Sequence, residues 1–407
     1  MGPIISEKLM FLKNKNNQRI KLLFSKIPDT GWLVFLLFAG SALFASIHSL
    51  LLEHFYNPTS FPDHMHYGNY IIFKKAWEHL ITARDLYAAF PGELPDLFKY
   101  SPTFAMFFGI FSIFPDAIGL PLWNLLNALV LYFSVKALPN INDRKKNMIL
   151  LFITIELLTS LQNSQSNALM AGLLIFTFVM LERRQYFIAT LFLTLTIFIK
   201  LFGGVAFALF LFYPEKWKLV RYSLFWVILL LLLPLPLTGF SHLQFLYQSW
   251  RELLLTDFSG PPGYSVMGWL SSWFGINLPK SAIVAAGLLA GGIPFLFRKF
   301  YSIYNFRLLM FTALLIWTVI FNHKAESPTF IIAMSGIAIW LFARKITVVN
   351  AILAAFAFLL TSLSTTELFM PIRDMVVEPY VLKVVPCIFI WGKILFDLTT
   401  FSATDIE

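Results

Sequence analysis

The sequence predicts an all-α polytopic membrane protein with about twelve transmembrane helices, on two observations. The 407-residue chain is 58% hydrophobic and only 13% charged, whereas about a quarter of the residues in soluble domains are charged. The apolar residues also fall in blocks nearly free of charge, and a bilayer core takes about 20 apolar residues per helix. The clearest of these blocks are residues 31–52, 118–138, 222–237 and 282–297.

The basic residues between these blocks predict which loops face the cytoplasm, because cytoplasmic loops are enriched in Lys and Arg. Residues 1–30 form a basic arm that we expect to be cytoplasmic, followed by a single transmembrane domain over 31–397 and a cytoplasmic tail over 398–407. We expect an integral protein of the bacterial inner (plasma) membrane with both termini inside. Further basic clusters expected on the same side are Lys136 with 144–146, 183–184, 216–221, 298–307 and 344–345.

The stretch 54–117 is predicted to be a long outer loop of the catalytic type. Only one full crossing fits between the first block and the basic cluster at 144–146, so the apolar residues 102–114 cannot span the membrane. The segment YIIFKKAWEHLI (70–81) is amphipathic at helical spacing. We expect both segments to be interfacial helices, the second with its aromatic side chains in lipid.

Charged residues of this loop are candidates for work on a head group at the membrane surface. Asp63, Glu93 and Asp96 are the candidate bases, and Lys99 and Tyr100 are candidate substrate contacts. The alternative interpretation of each single carboxylate is that it only keeps an exposed loop hydrated and has no part in function.

Lys200 is the candidate with the clearest physical argument. Residues 186–213 lie between two basic loops and are too short for two full spans, which predicts two half-length helices that meet at IKLFGG (199–204). Irregular backbone at membrane depth is tolerated where it is buried or lines a wet cavity. An ammonium there needs an anionic partner or water. A lipid-linked phosphate would serve, and an internal ion pair with a loop carboxylate is the alternative.

Two further polar stretches are expected at outer ends of helices. LQNSQSN (161–167) offers Gln165 and Asn167, which could bind sugar hydroxyls or, for Asn167, cap the next helix. FNHKAESPTF (321–330) offers His323 toward a phosphate and Glu326 as a base. Glu326 also suits a helix start through the helix dipole, so a structural role is equally open.

Metals and cofactors are not predicted. PDHMH (62–66) combines Asp63, His64 and His66, but the spacing is loose and no third His lies nearby in the sequence. Nucleotide-binding loops and glycine-rich phosphate cradles are not evident. The positive charge is explained by membrane topology, so nucleic acid is not an expected partner.

Several stretches stand in a fixed order over about residues 55–220 and carry a family resemblance. They are NYIIFKKAWEHLITARDLY, YSPTFAMFFGIFSIFPDAIGLPLWNLLNALVL, QNSQSNALMAGLL and IKLFGGVAFALFLF, and GYSVMGWL (263–270) is a weaker later element. Their order resembles glycosyltransferase family 87, the polyprenyl-phosphate-mannose-dependent mannosyltransferases of the GT-C fold.

The resemblance implies an inverting hexosyltransferase with one carboxylate as base. It would move a sugar, mannose by resemblance, from a polyprenyl-phosphate donor to a glycan or glycolipid acceptor on the outer face of the bilayer, without a cofactor. Family members are similar in having an Asp early in the first outer loop, where this sequence has Asn69, which cannot accept a proton. Either another carboxylate has taken that role or this member binds without transferring. The catalytic candidates are Asp63, Asp96, Glu93 and Glu326, and the substrate-binding candidates are Asn69, Lys99, Tyr100, Gln165, Asn167, Lys200 and His323.

Two other classes of function stay open on the residues alone. A transporter or flippase of lipid-linked sugars would also use a broken helix with a buried Lys. A ligase of lipid-linked sugars would work on the same side of the membrane. An enzyme should show one cavity open at one end, whereas a transporter must open at both.

Overall fold

The computed structural model of the chain describes residues 31–56, 66–94 and 96–402. This part is helical throughout and contains no β-strand. The basic arm 1–30 and Asp63 lie outside the described residues. The helices of nine or more residues are α1 Gly31–Tyr56, α2 Gly68–Ile81, α3 Pro102–Ser112, α4 Asp116–Lys136, α5 Asp143–Gln162, α6 Asn167–Glu182, α7 Tyr186–Ile199, α8 Lys216–Leu232, α9 Leu235–Ser259, α10 Val266–Phe274, α11 Lys280–Gly292, α12 Tyr304–Ile320, α13 Phe330–Ala343, α14 Val348–Ala357 and α15 Val385–Thr399.

Further helical segments, all but one of them six residues or shorter, connect these α-helices. Several of them are 3₁₀ or π turns, which are common at helix ends and at sites where a helix is interrupted. They are 3₁₀ segments Leu201–Phe212, Ile293–Leu296, Arg298–Phe300, Ser327–Thr329, Glu367–Phe369 and Leu382–Val384, the helical turn Met370–Ile372, and π segments Phe358–Leu363 and Arg373–Val377.

Two of the described helices, α1 and α4, are long and apolar enough to cross a membrane by themselves. Two bent pairs, α8 with α9 and 348–363 with 367–377, would raise that number to four if each pair is one span. Other apolar helices, including α6, α7, α12 and α13, are shorter than a full span. The expected number of about twelve transmembrane helices therefore stays a prediction.

The centre of the bundle is formed by α6 and α13. Every residue of α13 from Phe330 to Phe342 is buried, and α6 is buried on nearly all sides. Helices that are apolar all round belong in the interior of a bundle. α6 packs against α4 and α7, and α13 packs against α5 and α12. The central position of α6 fixes the polar residues that precede it.

Helix α2 confirms the predicted helix over 70–81, but its aromatic face does not point into lipid. Phe73 is fully buried and its ring lies 4.8 Å from Tyr100, 5.1 Å from Phe104 and 5.9 Å from Trp123. α2 packs against α3. The apolar face of α2 packs against other helices of the protein. The periodicity of the sequence shows that a face is apolar, but it does not show whether protein or lipid covers that face.

The chain reverses direction at Lys200. Helix α7 ends there, Lys200 is extended (φ −145°, ψ 123°), and the 3₁₀ segment Leu201–Phe212 follows. Tyr186 and Tyr213, at opposite ends of this pair, have ring centroids only 6.2 Å apart. A Cβ on Gly203 would collide with Thr196, so the close approach of the two arms needs glycine. The predicted pair of half-length helices is therefore a hairpin with Lys200 at its tip.

The polar stretch 238–263 is largely a helix. α9 bends at Gly239, where φ is +69°, a value that glycine adopts without strain. It is tied to the first loop by a hydrogen bond from Trp250 Nε1 to the Lys99 carbonyl (3.1 Å) and one from Ser249 to Asp85 (3.0 Å). α9 thus covers the outer loop instead of extending away from it.

The two ends of the bundle differ in charge. At one end lie the basic clusters, with Lys136 paired to Asp143 (3.2 Å) and Arg307 paired to Glu182 (2.6 Å). Lys145 donates to the Ala343 carbonyl at the same end. The amides and carboxylates of the predicted site lie at the other end. By the enrichment of Lys and Arg in cytoplasmic loops, the basic end is the one expected inside.

A fully buried ion pair, which the sequence analysis did not single out, joins α5 to the segment before α15. Lys383 Nζ lies 2.9 Å from Glu156 Oε1, and both side chains are 0% exposed. Lys383 also donates to Ser327 Oγ (2.8 Å) and Thr365 Oγ1 (3.1 Å). Lys383 and Glu156 are each a single charged residue within an apolar stretch of the sequence. That pattern could have identified both as buried charges.

Lys383→Met should destabilise the protein by about 3–5 kcal/mol, because it leaves the Glu156 carboxylate buried without a cation. The double variant Glu156→Leu/Lys383→Met should recover most of that loss. Thermal unfolding in detergent measures both. Lys218→Met, at a pair with Glu215 whose side chains are 43% and 45% exposed, is the matched control and should unfold near the wild-type temperature. A Lys383→Met variant as stable as this control would contradict the prediction.

Candidate functional site

A cavity of about 610 Å³ lies at the polar end of the bundle, and most of the candidate residues line it. Its walls come from α2, the segment before α3, the tip before α6, the hairpin tip, α9, α11, and the junction between α12 and α13. The predicted residues that line it are Asn69, Asp96, Lys99, Tyr100, Gln165, Lys200, His323 and Glu326.

A chain of hydrogen bonds joins Lys200 to Glu326 at the wall of the cavity. Lys200 Nζ donates to Asn167 Oδ1 (2.8 Å), Asn167 Nδ2 donates to Gln165 Oε1 (2.5 Å), and Gln165 Nε2 donates to Glu326 Oε2 (2.6 Å). The two amide side chains therefore link the Lys200 ammonium to the Glu326 carboxylate, and each amide accepts one hydrogen bond and donates the next. Asn167 is fully buried and is the first residue of α6, whose N-cap is Ser166, and its side chain is bonded to Lys200 and Gln165. Its side chain orients Lys200, so the capping interpretation is wrong.

Tyr100 forms the floor beneath Lys200. The Lys200 ammonium lies 5.6 Å from the centroid of the Tyr100 ring, within range of a cation–π interaction. The phenol oxygen accepts from Ser166 (3.4 Å), and the Tyr100 carbonyl accepts from Tyr87 (2.9 Å). Ser101 caps α3 through the Phe104 amide. Local capping and aromatic packing thus hold this loop at the cavity.

A second group of charges surrounds the mouth of the cavity. Lys99 Nζ lies 3.2 Å from Asp96 and 3.6 Å from Asp257, which in turn is 3.7 Å from Lys324. Burial works against the charge of Lys99, but Asp96 and Asp257 outweigh it and the pKa of Lys99 is raised. Each of the two carboxylates therefore has a lysine partner, Asp96 in Lys99 and Asp257 in both Lys99 and Lys324.

Glu326 differs from these two carboxylates. Within the described residues it has no Lys, Arg or His within 4 Å, and its side chain accepts from the neutral Gln165 amide. Its backbone amide donates to Thr329 Oγ1 (3.2 Å) at the start of the next helical turn. Glu326 is exposed to the cavity. Glu326 is also the N-cap of the Ser327–Thr329 turn, in a capping box in which its side chain accepts from the Thr329 amide. The predicted structural role at a helix start is therefore present, and the same carboxylate faces the cavity.

His323 lies beside this group in the connection before α13. Burial lowers its pKa, and Lys280 and Lys324 lower it further. A neutral imidazole at pH 7 can donate one hydrogen bond but brings no charge to a phosphate. Its Nε2 is buried and has no partner among the residues that the structure describes. The cations facing the cavity are therefore the lysines.

Of the remaining predicted residues, Glu93 lies outside the cavity and Asn69 lies in its wall, held by a hydrogen bond. Glu93 does not line the cavity, since it pairs with His79 (2.9 Å) and Arg84 (3.1 Å). Hydrogen bonds from these two residues lower the pKa of Glu93. Asn69 lines the cavity and donates to the Asn163 carbonyl (2.9 Å). In the described ranges no three His, Cys, Asp or Glu side chains are grouped to hold a metal ion.

Asp257 and Trp250 were missed by the sequence analysis, although both line the cavity. They sit on α9, in a stretch whose polar composition suggested a loop. The signal was the apolar spacing of Leu243, Leu246 and Trp250, which repeats at helical intervals.

The profile of glycosyltransferase family 87 matches residues 98–321, more than half of the chain. The chain belongs to glycosyltransferase family 87. The matched region of this family 87 glycosyltransferase includes the hairpin with Lys200, the tip with Gln165 and helix α9. It begins after Asn69 and extends beyond the stretch of about 55–220 that carried the resemblance. Glu326 lies five residues past its end. No curated protein matches the chain.

Proposed function

We propose that this membrane glycosyltransferase transfers a sugar, mannose in our working hypothesis, from a polyprenyl-phosphate donor to a glycan or glycolipid acceptor outside the membrane. The observation that supports this most directly is the cavity itself, which in a family 87 protein holds Lys200 and Glu326 on one wall, joined through the side chains of Asn167 and Gln165. Lys binds phosphate as a compact point charge. The donor phosphate would lie between Lys200 and Lys99, and no cofactor takes part.

An apolar groove supports a lipid as the carrier of that phosphate. A second space of about 210 Å³ shares Val205, Leu288 and Trp317 with the polar cavity. It is also lined by Gly287 and Gly291 of α11 and by Phe212 and Phe295. A ligand with a charged head and a long apolar tail matches this continuity, whereas a nucleotide sugar would leave the groove unused.

Glu326 is the base that the geometry favours among the described carboxylates. It would take the proton of the acceptor hydroxyl, whose oxygen attacks the anomeric carbon. The bond between that carbon and the phosphate oxygen breaks with inversion, and its electron pair leaves with the phosphate. Lys200 stabilises the charge that develops there, the kind of electrostatic contribution that is often large in enzymes. Asp96, and Asp63 outside the described residues, stay alternatives.

The test is to incubate purified protein with polyprenyl-phosphate-mannose and measure released polyprenyl phosphate. We expect release with this donor and none with a mannose nucleotide. Absence of release from polyprenyl-phosphate donors carrying mannose, glucose or galactose would contradict the proposed function. At the basic end Arg307 and Glu182 form an ion pair with side chains 14% and 8% exposed, which favours an enzyme over a transporter that must open at both ends.

The orientation in the membrane can be tested by cysteine labelling in a Cys387→Ala background. We expect Ala89→Cys to react with a membrane-impermeant maleimide in intact cells, because Ala89 is exposed in the outer loop. Gln185→Cys, exposed at the basic end, should react only after permeabilisation. The reverse pattern would place the cavity on the cytoplasmic side, where a flipped lipid-linked donor is not available.

A further inference from the structure

A second polar cavity, of about 520 Å³, lies at the same end of the bundle. It is lined by α1, the end of α5, the Ser327–Thr329 turn and the segment 365–378. The two cavities adjoin but share no lining residue. Asn163 lines the second cavity and accepts a hydrogen bond from Asn69, which lines the first. Likewise, Ser327 lines the second cavity and the preceding Glu326 lines the first.

The hydroxyl of Ser327 is set up to donate into this space. The buried Lys383 ammonium donates to Ser327 Oγ (2.8 Å), so this oxygen already acts as an acceptor. Among the residues that the structure describes, the Ser327 hydroxyl proton has no acceptor. Gln162 likewise lines the cavity without a side-chain hydrogen bond to any described residue. Both groups are therefore free to hydrogen-bond a ligand or water in the cavity.

The charge of the second cavity distinguishes its ligand from that of the first. Arg373 is the one Lys or Arg in the described lining, and it is paired with Asp374 (2.7 Å) and Glu378 (3.6 Å). Among the residues that the structure describes, no lysine lines this space, whose other nitrogen bases are His48 and His66, whereas the first cavity has Lys99 and Lys200. A phosphate is therefore disfavoured. Amide, hydroxyl and carboxylate groups in a roomy pocket instead suit a ligand rich in hydroxyl groups.

We propose that the second cavity binds the saccharide of the acceptor, and this inference rests on the proposed function. A sugar seated there would lie beside the turn that carries Glu326, and its reacting hydroxyl would have to enter the first cavity between Asn69 and Ser327 to come within hydrogen-bond distance of Glu326. The donor would approach from the opposite side, along the apolar groove. Two substrates would thus reach one carboxylate through separate openings.

Photoaffinity labelling tests this site without requiring catalysis. The probes are p-azidophenyl α-mannoside, glucoside and galactoside, irradiated with wild-type protein in detergent without donor. We expect at least one probe to label peptides containing the end of α5 or residues 365–378, with competition by the matching octyl glycoside. Gln162→Ala should reduce that labelling severalfold, whereas Gln248→Ala, on the exposed face of α9, should not. Labelling confined to the first cavity, or no competed label, would overturn the proposal.

Kinetics separate this proposal from the proposed function. With polyprenyl-phosphate-mannose as donor and the labelled sugar's octyl glycoside as acceptor, Gln162→Ala should raise the KM for the glycoside about three- to tenfold, as expected for one lost hydrogen bond. Hydrolysis of the donor by water should be unchanged. An unchanged glycoside KM would count against the acceptor site. A wild-type protein that labels but never releases polyprenyl phosphate would refute the proposed function while leaving a saccharide site.

Discussion

Glu326→Gln should lower turnover by about two to four orders of magnitude, the contribution typical of a general base. The amide keeps the size of the side chain but cannot accept a proton. Donor binding should be largely retained, since Lys200 and Lys99 are unchanged. Release of polyprenyl phosphate at saturating acceptor measures the first effect, and equilibrium binding of the donor measures the second.

Two matched substitutions serve as controls for this prediction. Asp96→Asn and Asp257→Asn also replace a cavity carboxylate by an amide, but both carboxylates already contact Lys99. Their effect on turnover should be smaller than that of Glu326→Gln. Full activity of Glu326→Gln together with an inactive Asp63→Asn would assign the base to Asp63 instead.

Lys200→Met should weaken donor binding by about 10²- to 10³-fold. Losing one partner of a buried charge pair costs about 3–5 kcal/mol, and every 1.4 kcal/mol is tenfold in affinity. Met has a similar length and no charge, so the hairpin tip should keep its packing against Tyr100. Binding of a radiolabelled polyprenyl phosphate to the purified variant measures the effect.

The fold of the Lys200→Met variant is checked by its thermal unfolding, which should stay within a few degrees of the wild type. Lys324→Met is the matched control, because Lys324 is at the mouth of the cavity and faces Asp257. It should weaken donor binding far less. Wild-type affinity in Lys200→Met would exclude the phosphate role and leave Lys200 as a structural residue held by Asn167.

The hairpin at Lys200 could be predicted from the sequence because it depends on local and physical constraints. A single Lys within an apolar stretch too short for two spans, flanked by glycines and basic loops, leaves few arrangements. The family match likewise confirms the resemblance carried by the ordered motifs. The donor, the acceptor and the number of spans were not fixed by the same reasoning.

What the sequence did not show depends on contacts between distant segments. Asp257 reaches Lys99 only because α9 folds back over the first loop, and no local pattern indicates that contact. The aromatic residues of α2 suit lipid and protein equally well, so their burial against α3 was decided by tertiary packing. The order of hydrogen bonds from Lys200 to Glu326 joins three separate segments and was invisible for the same reason.

The unequal arms of the Lys200 hairpin set a depth within the bilayer. The fourteen residues of α7 rise about 21 Å at 1.5 Å each, and the twelve residues of the 3₁₀ arm rise about 24 Å at 2.0 Å each. The larger rise per residue of the 3₁₀ arm thus gives its twelve residues about the same length as the fourteen residues of α7. Both fall short of a hydrocarbon core of about 30 Å. A lipid whose phosphate reaches Lys200 must sink several ångströms below its neighbours, or the bilayer must thin there, so turnover should depend on membrane thickness.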